Sequence, residues 1–268
     1  MARHLVCRAM SVVEQRVRIG VVGAGGKMGT AVCAAVVAAP GLDLVAAVDP
    51  FAAGQQRSGI AVSGGLEVFA AEGVDVVVDF TIASASRDTL PWLAERGIHA
   101  VVGTTQLEDQ FETLRGAFTR SNCLVAANFA IGAVLMMRFA EMAAPLFETA
   151  EIIELHHDTK PDAPSGTALT TAHRMASASA DWAADPTTHE VAAGARGGVG
   201  PAGIRLHSVR MRGMVAHQEV ILGTAGQTLT IRHDSYDRDS FMPGVVLACR
   251  RIADHPGLTI GLDSFLGV

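Results

Sequence analysis

Residues 154–167 read ELHHDTKPDAPSGT. His156 and His157 are adjacent, Lys160 follows three residues after the second, and Pro164, Ser165, Gly166 and Thr167 close the stretch. This composition suits neither a helix interior nor a strand interior, so it predicts a loop between a strand (EIIELHH) and a helix (ALTTAHRMASASA). Its residue types can do acid/base work. An imidazole titrates near neutrality, and an ammonium both offsets negative charge and can release a proton. The turn adds an anion cradle, because Ser165 or Thr167 can cap the helix while Gly166 lets a ligand approach bare backbone N–H groups. Two blander readings compete. The histidines could be partly exposed polar residues at a strand end, with Pro161 and Pro164 as turn formers. His156, His157 and Asp158 are also metal-ligand types, but neighbours on a strand point to opposite faces and rarely share one ion, so no metal is expected.

A second chemical constellation lies near the start. VRIGVV (17–22) is a β-branched run that leads into GAGGKMG and then an Ala-rich helical stretch. Gly23, Ala24, Gly25, Gly26, Lys27 and Met28 form a turn whose backbone N–H groups and following helix N-terminus favour a phosphate. The spacing departs from G-x-G-x-x-G, since its sixth position is Met28; Gly23, Gly26 and Gly29 fit G-x-x-G-x-x-G instead. Asp49, at the end of the next apolar run, stands where a carboxylate would accept hydrogen bonds from an adenosine ribose. Phe80 and Thr81 in DFT, Gly103, Thr104 and Thr105 in GTT, and Ala126, Ala127, Asn128 and Phe129 in AANF all fall at ends of further apolar runs. In an open α/β sheet that carboxyl edge is where ligands bind, although Thr and Asn there can equally be ordinary helix caps.

The elements that would position these residues follow from patterning. Near-continuous apolar runs alternate with helical stretches up to Phe129, which predicts a doubly wound, Rossmann-type parallel sheet covered on both faces. After a long helix (GAVLMMRFAEMAAPLF), the runs IRLHSVRMR, AHQEVILGT and QTLTIRHDS alternate in polarity. They predict an α+β region with a mostly antiparallel sheet, preceded by a Gly-rich loop (AAGARGGVGPAG) and followed by one more helix and a short tail. The expected division is an extension over 1–16, a dinucleotide-binding unit over 17–129 and a second, α+β unit over 130–239, with 240–268 after it.

At 268 residues, 49% hydrophobic and 18% charged, the chain can bury a core without disulfides. Its formal charge of −6 and lack of a basic stripe argue against nucleic acid as the main partner, and its apolar runs are broken before membrane-spanning length. Cys7, Cys33, Cys123 and Cys249 show no C-x-x-C pairing. Reduced thiols and a cytoplasmic location are therefore expected.

Taken together, GAGGKMG, DFT, GTT, AANFAIG, HHDTKPDAPSGTA and SFMPGVVLACRRI closely resemble the dihydrodipicolinate reductase (4-hydroxy-tetrahydrodipicolinate reductase) family, from about Val17 to the C-terminus. The resemblance implies NADH- or NADPH-dependent reduction of a small dicarboxylate ring in diaminopimelate and lysine biosynthesis. It also implies a homotetramer built through the second region's sheets, with 130–239 as the substrate-binding unit and 240–268 returning to pack on the dinucleotide-binding unit. By motif position it implies His156 as the acid/base residue and Lys160 as a proton donor, with His157, Ser165, Gly166 and Thr167 holding substrate. The coenzyme contacts it implies are Gly23 to Met28, Asp49, Phe80, Thr81, Gly103 to Thr105 and Ala126 to Phe129. Pro50 departs from those relatives that carry an arginine after the acidic residue. The competing expectation is a non-catalytic dinucleotide-binding regulator of the same fold; a metal-dependent hydrolase is a more distant one.

Overall fold

A computed structural model describes residues 16–268. Residues 1–15, most of the expected extension, lie outside the described residues. Arg16, the last residue of that span, pairs with Asp43 at 2.5 Å.

The chain first runs through β1 (Val17–Val22), α1 (Lys27–Ala38), β2 (Leu42–Val48), β3 (Gln56–Arg57), β4 (Ile60–Ser63), α2 (Glu67–Ala71), β5 (Val76–Asp79), α3 (Ala83–Arg96), β6 (His99–Val102), α4 (Phe111–Ala117) and β7 (Cys123–Val125). It continues through α5 (Ile131–Ala143), β8 (Thr149–His156), α6 (Gly166–Ala178), β9 (Gly198–Val199), β10 (Arg205–Arg210), β11 (Ala216–Thr224), β12 (Gln227–Ser235), α7 (Met242–Arg251), β13 (Leu258–Ile260) and α8 (Asp263–Leu266).

Eight strands form the first sheet, in the order β13-β7-β6-β5-β1-β2-β4-β3. Every pairing is parallel except β3 with β4. The uninterrupted apolar runs are explained by burial on both faces. Ile19, Val21, Val76 and Val78 enter one core with α1 and α7, whereas Val22 and Val77 enter the other with Leu90 and Leu93 of α3. Each such side chain contributes roughly 1.5–3 kcal/mol of apolar burial.

The second sheet has five strands in the order β12-β11-β8-β10-β9, with α5 and α6 against it. One expectation needs correction: β10 runs parallel to β8, not antiparallel. Between them the chain passes through α6 and the Gly-rich segment, and such a crossover returns a strand in its original direction. Several short elements escaped the sequence reading. β3 and β4 are too short to show a period, β9 falls within the expected Gly-rich loop, and the expected tail contains α8 and β13, which adds a further parallel strand beside β7.

Candidate active site

At the carboxyl edge of the first sheet, the chain leaves β1 through Gly23 at φ +77°, a left-handed conformation natural to glycine. A side chain at Gly29 would bring its Cβ to 2.1 Å from the Gly23 carbonyl oxygen, so only glycine lets α1 start this close to the turn. Gly26 caps α1 without a side-chain hydrogen bond, which leaves first-turn N–H groups available to an anion. One strand away the Asp49 carboxylate is pinned: Gly25 N donates to Oδ2 at 3.0 Å and Phe51 N to Oδ1 at 2.9 Å. A carboxylate oxygen can accept more than one hydrogen bond, so both retain acceptor capacity. Lys27 is exposed on the first turn of α1. A bare phosphate cradle beside a fixed carboxylate fits a dinucleotide.

Further along the edge the residues divide. Asp79, fully buried, receives Thr81 N at 2.8 Å, the Thr81 hydroxyl at 2.6 Å, the Ser86 hydroxyl at 2.8 Å and the Thr104 hydroxyl at 3.1 Å. Thr104 is therefore turned inward and buried, while Thr105 is exposed. Phe80 packs on Phe129 with ring centroids 5.4 Å apart, and both Ala126 and Phe129 are buried. Ala127 is exposed and Asn128 half-buried. These last two line a cavity of about 180 Å³ that also takes in His156, Ser165, Thr167, Gln218 and His233. The cavity joins the edge of the first sheet to the loop after β8.

That loop is built around one carboxylate. His156 is the last residue of β8, and its Nδ1 lies 2.5 Å from Glu154 Oε2. Arg210, in register with His156 on β10, donates to both Glu154 oxygens at 2.8 Å. Ser165 N donates to Glu154 Oε1 at 3.2 Å, and the Ser165 hydroxyl caps α6 by accepting from Ala168 N at 3.2 Å. Gly166, Thr167 and the Ser165 hydroxyl proton are the donors left for a ligand. Lys160 Nζ pairs with both oxygens of Asp162 at 2.8 Å. His157 is exposed, with Nδ1 against the Thr159 hydroxyl at 2.7 Å. His156, His157 and Lys160 face a second hollow of about 560 Å³ that Tyr236 and Arg238 also line.

Burial pulls the His156 pKa down, assisted by the Lys160 and Arg210 charges and opposed by Glu154. For Glu154, burial pushes upward, but hydrogen bonds from Arg210, Ser208 and His156 carry its pKa below the usual carboxylate range. Burial also lowers the pKa of His233, with Asp234 opposing and His217 assisting. In both histidines burial thus favours the neutral imidazole.

Sequence reasoning missed Glu154, Arg210, Gln218 and His233. Gln218 is buried, donates to the Thr171 hydroxyl at 2.8 Å, and leaves Oε1 without a protein partner where it borders the cavity.

The family models for the N-terminus and the C-terminus of dihydrodipicolinate reductase match residues 17–129 and 132–266. The chain belongs to the dihydrodipicolinate reductase family. A relative from Nocardia farcinica, named 4-hydroxy-tetrahydrodipicolinate reductase, is 52% identical over 93% of this chain and 98% of its own length. One of the same name from Cutibacterium acnes is 49% identical over 94% and 99%. Among solved structures, a dipicolinate-bound dihydrodipicolinate reductase from Paenisporosarcina sp. TG-14 superposes with a TM-score of 0.84. It is 36% identical and is matched over 93% of this chain and 99% of that one. Family membership accounts for the pairing of a dinucleotide edge with a loop rich in proton and anion-binding groups. Among the described residues no helix is long and apolar enough to cross a membrane.

Proposed function

We propose that this chain reduces 4-hydroxy-tetrahydrodipicolinate to tetrahydrodipicolinate with NADH or NADPH, a step of diaminopimelate and lysine biosynthesis. The observation that carries the reading is the cavity in which Asn128, from the dinucleotide edge, meets His156, Ser165 and Thr167 from the loop after β8. Bound NADH or NADPH supplies a hydride. Glycine residues 23, 25 and 26, Lys27 and the start of α1 would hold its pyrophosphate, and Asp49 its ribose, with Thr105 and Ala127 along the edge towards the ring.

On this reading the chain's own groups serve the substrate. The ring hydroxyl leaves as water to give the conjugated ring; hydride arriving there spreads negative charge over it, and the Lys160 ammonium stabilises that charge and releases a proton to complete the reduction. Lys160 then regains a proton from water. The Gly166 and Thr167 N–H groups and the hydroxyls of Ser165 and Thr167 receive a ring carboxylate at the start of α6. His157 borders the same hollow as Lys160 and is available to the second carboxylate.

The working units on this reading are 17–129 together with 240–268, and 130–239. A homotetramer formed through the second sheet is supported by its face away from α5 and α6, where Ile153, Leu155, Val209 and Ile221 are only partly covered. The free, buried cysteines Cys33, Cys123 and Cys249 suit a reducing cytoplasm. The deciding experiment follows coenzyme oxidation at 340 nm with the ring substrate and each coenzyme in turn. Coenzyme binding without substrate-dependent oxidation would replace the enzyme with a non-catalytic dinucleotide-binding regulator.

A further inference from the structure

Glu154 has no exposed surface, and a buried carboxylate is costly unless its lone pairs are engaged. Here they are saturated. Oε2 faces His156 Nδ1 at 2.5 Å and Arg210 Nη1 at 2.8 Å, while Oε1 faces Arg210 Nη2 at 2.8 Å and Ser165 N at 3.2 Å. Arg210 Nη2 also donates to the Asp162 carbonyl at 2.6 Å. The loop therefore leaves the sheet at His156, passes Asp162 and enters α6 at Ser165 with all three points tied to one carboxylate–guanidinium pair.

A charged carboxylate only accepts hydrogen bonds, so a neutral imidazole against it must carry its proton on Nδ1 and leave Nε2 bare. We propose that Glu154 is a positioning residue that fixes His156 as the Nδ1–H tautomer with Nε2 as a hydrogen-bond acceptor, and sets the Ser165 turn in register with it. The proton-donating role then falls to Lys160, and His156 receives a hydroxyl or N–H of the ring. This division rests on the reductase reading; the tautomer itself does not.

The charged and titratable groups around His156 come from several elements. Lys160 and Asp162 belong to its own loop, Arg210 to β10, His217 to β11 and His233 to β12, and Tyr236, Asp237 and Arg238 follow β12. Of these and Glu154, the carboxylate at 2.5 Å is the one hydrogen-bonded to the ring. Its removal should lower the imidazole pKa further.

Neutron diffraction from crystals of the full chain exchanged into heavy water at neutral pH locates the deuteron directly. Density on Nδ1 with none on Nε2 is expected. A deuteron on Nε2, alone or together with one on Nδ1, overturns the proposal, and neither result depends on turnover. The kinetic arm uses Glu154→Gln, whose amide can donate to Nδ1 and release the tautomer. Its kcat at neutral pH should fall roughly tenfold or more, with coenzyme KM within about twofold and the acid limb of the kcat profile moved to lower pH. Arg210→Lys, which keeps both the carboxylate and the neighbouring charge, should leave that limb in place. A wild-type acid limb in folded Glu154→Gln sinks the proposal; if that variant does not fold, the deuteron position decides alone.

Discussion

The Asn128 side-chain amide donates to the Thr167 hydroxyl at 3.4 Å, a long hydrogen bond linking the end of β7 to the first turn of α6. It is a direct side-chain contact between the dinucleotide edge and the anion cradle. Close by, the chain crosses between the sheets for the second time, and a Cβ at Gly244 would lie 2.1 Å from the Phe129 carbonyl oxygen. The two crossings are in backbone contact, as a shared hinge requires.

Ligand binding should therefore close the two sheets about Phe129 and Ser240. Small-angle scattering of the free enzyme and of the enzyme with coenzyme and a pyridine dicarboxylate should differ, the liganded form being more compact. Superimposable curves would count against closure.

Lys160→Ala should cut kcat by roughly 100-fold or more with little change in coenzyme affinity, because the lost charge acts mainly as the ring becomes negative. The loop should survive, since its anchors are Glu154 and Arg210 and the Lys160 pair with Asp162 is local. Turnover within a few-fold of wild type would remove Lys160 from the chemistry.

For the coenzyme, Asp49 as the proposed ribose ligand would favour a free hydroxyl and repel a 2′-phosphate, Pro50 offers no cation, and exposed Lys27 on the same edge would offset part of the repulsion. Such opposed charges near a surface are worth on the order of 1 kcal/mol, so NADH should equal or exceed NADPH by about tenfold or less. Lys27→Ala should weaken NADPH more than NADH. Asp49→Ala should weaken both, because Gly25 and Phe51 lose their acceptor, and NADH more. The kcat/KM values for both coenzymes in all three proteins test this; a hundredfold wild-type preference for NADPH refutes the ribose role of Asp49.

The C-terminal end of the chain gives a stability prediction. Arg174 on α6 donates to both oxygens of Asp263 on α8, at 2.5 and 3.1 Å. Burial pushes the Asp263 pKa upward, but the Arg174 hydrogen bonds and charge outweigh it and hold the folded value below the ordinary one. A depressed folded pKa means stability that is present above the unfolded value near 3.9 and lost as pH falls through the folded value. Asp263→Asn should cost about 1 kcal/mol at neutral pH and progressively less below about pH 4. Melting temperatures of both proteins across pH 3–7 check this; a constant difference would contradict it.

What the sequence revealed depended on whether the governing rule is local. The glycine turn was legible because backbone geometry at Gly23 and close approach at Gly29 leave few alternatives. The parallel sheet was legible because burial on both faces erases the strand period. Glu154 was not, since within EIIELHH it reads as a polar position on a half-covered strand. Its burial depends on Arg210, which reaches it only because β10 pairs parallel to β8, and no local pattern announces that pairing. Thr104 was assigned to the ligand edge by its place after a strand, yet the acceptor that claims its hydroxyl is Asp79 on the neighbouring strand.

The addition of β13 beside β7 also bears on the order of events during synthesis. Until residues 258–260 emerge, β7 presents unpaired backbone groups at a sheet edge. By then the whole second sheet has already left the ribosome and can fold as a nested unit. Completion of the nucleotide sheet is thus the late, long-range step in biogenesis. A nascent chain stalled before Leu258 would expose an adhesive edge for a chaperone to guard.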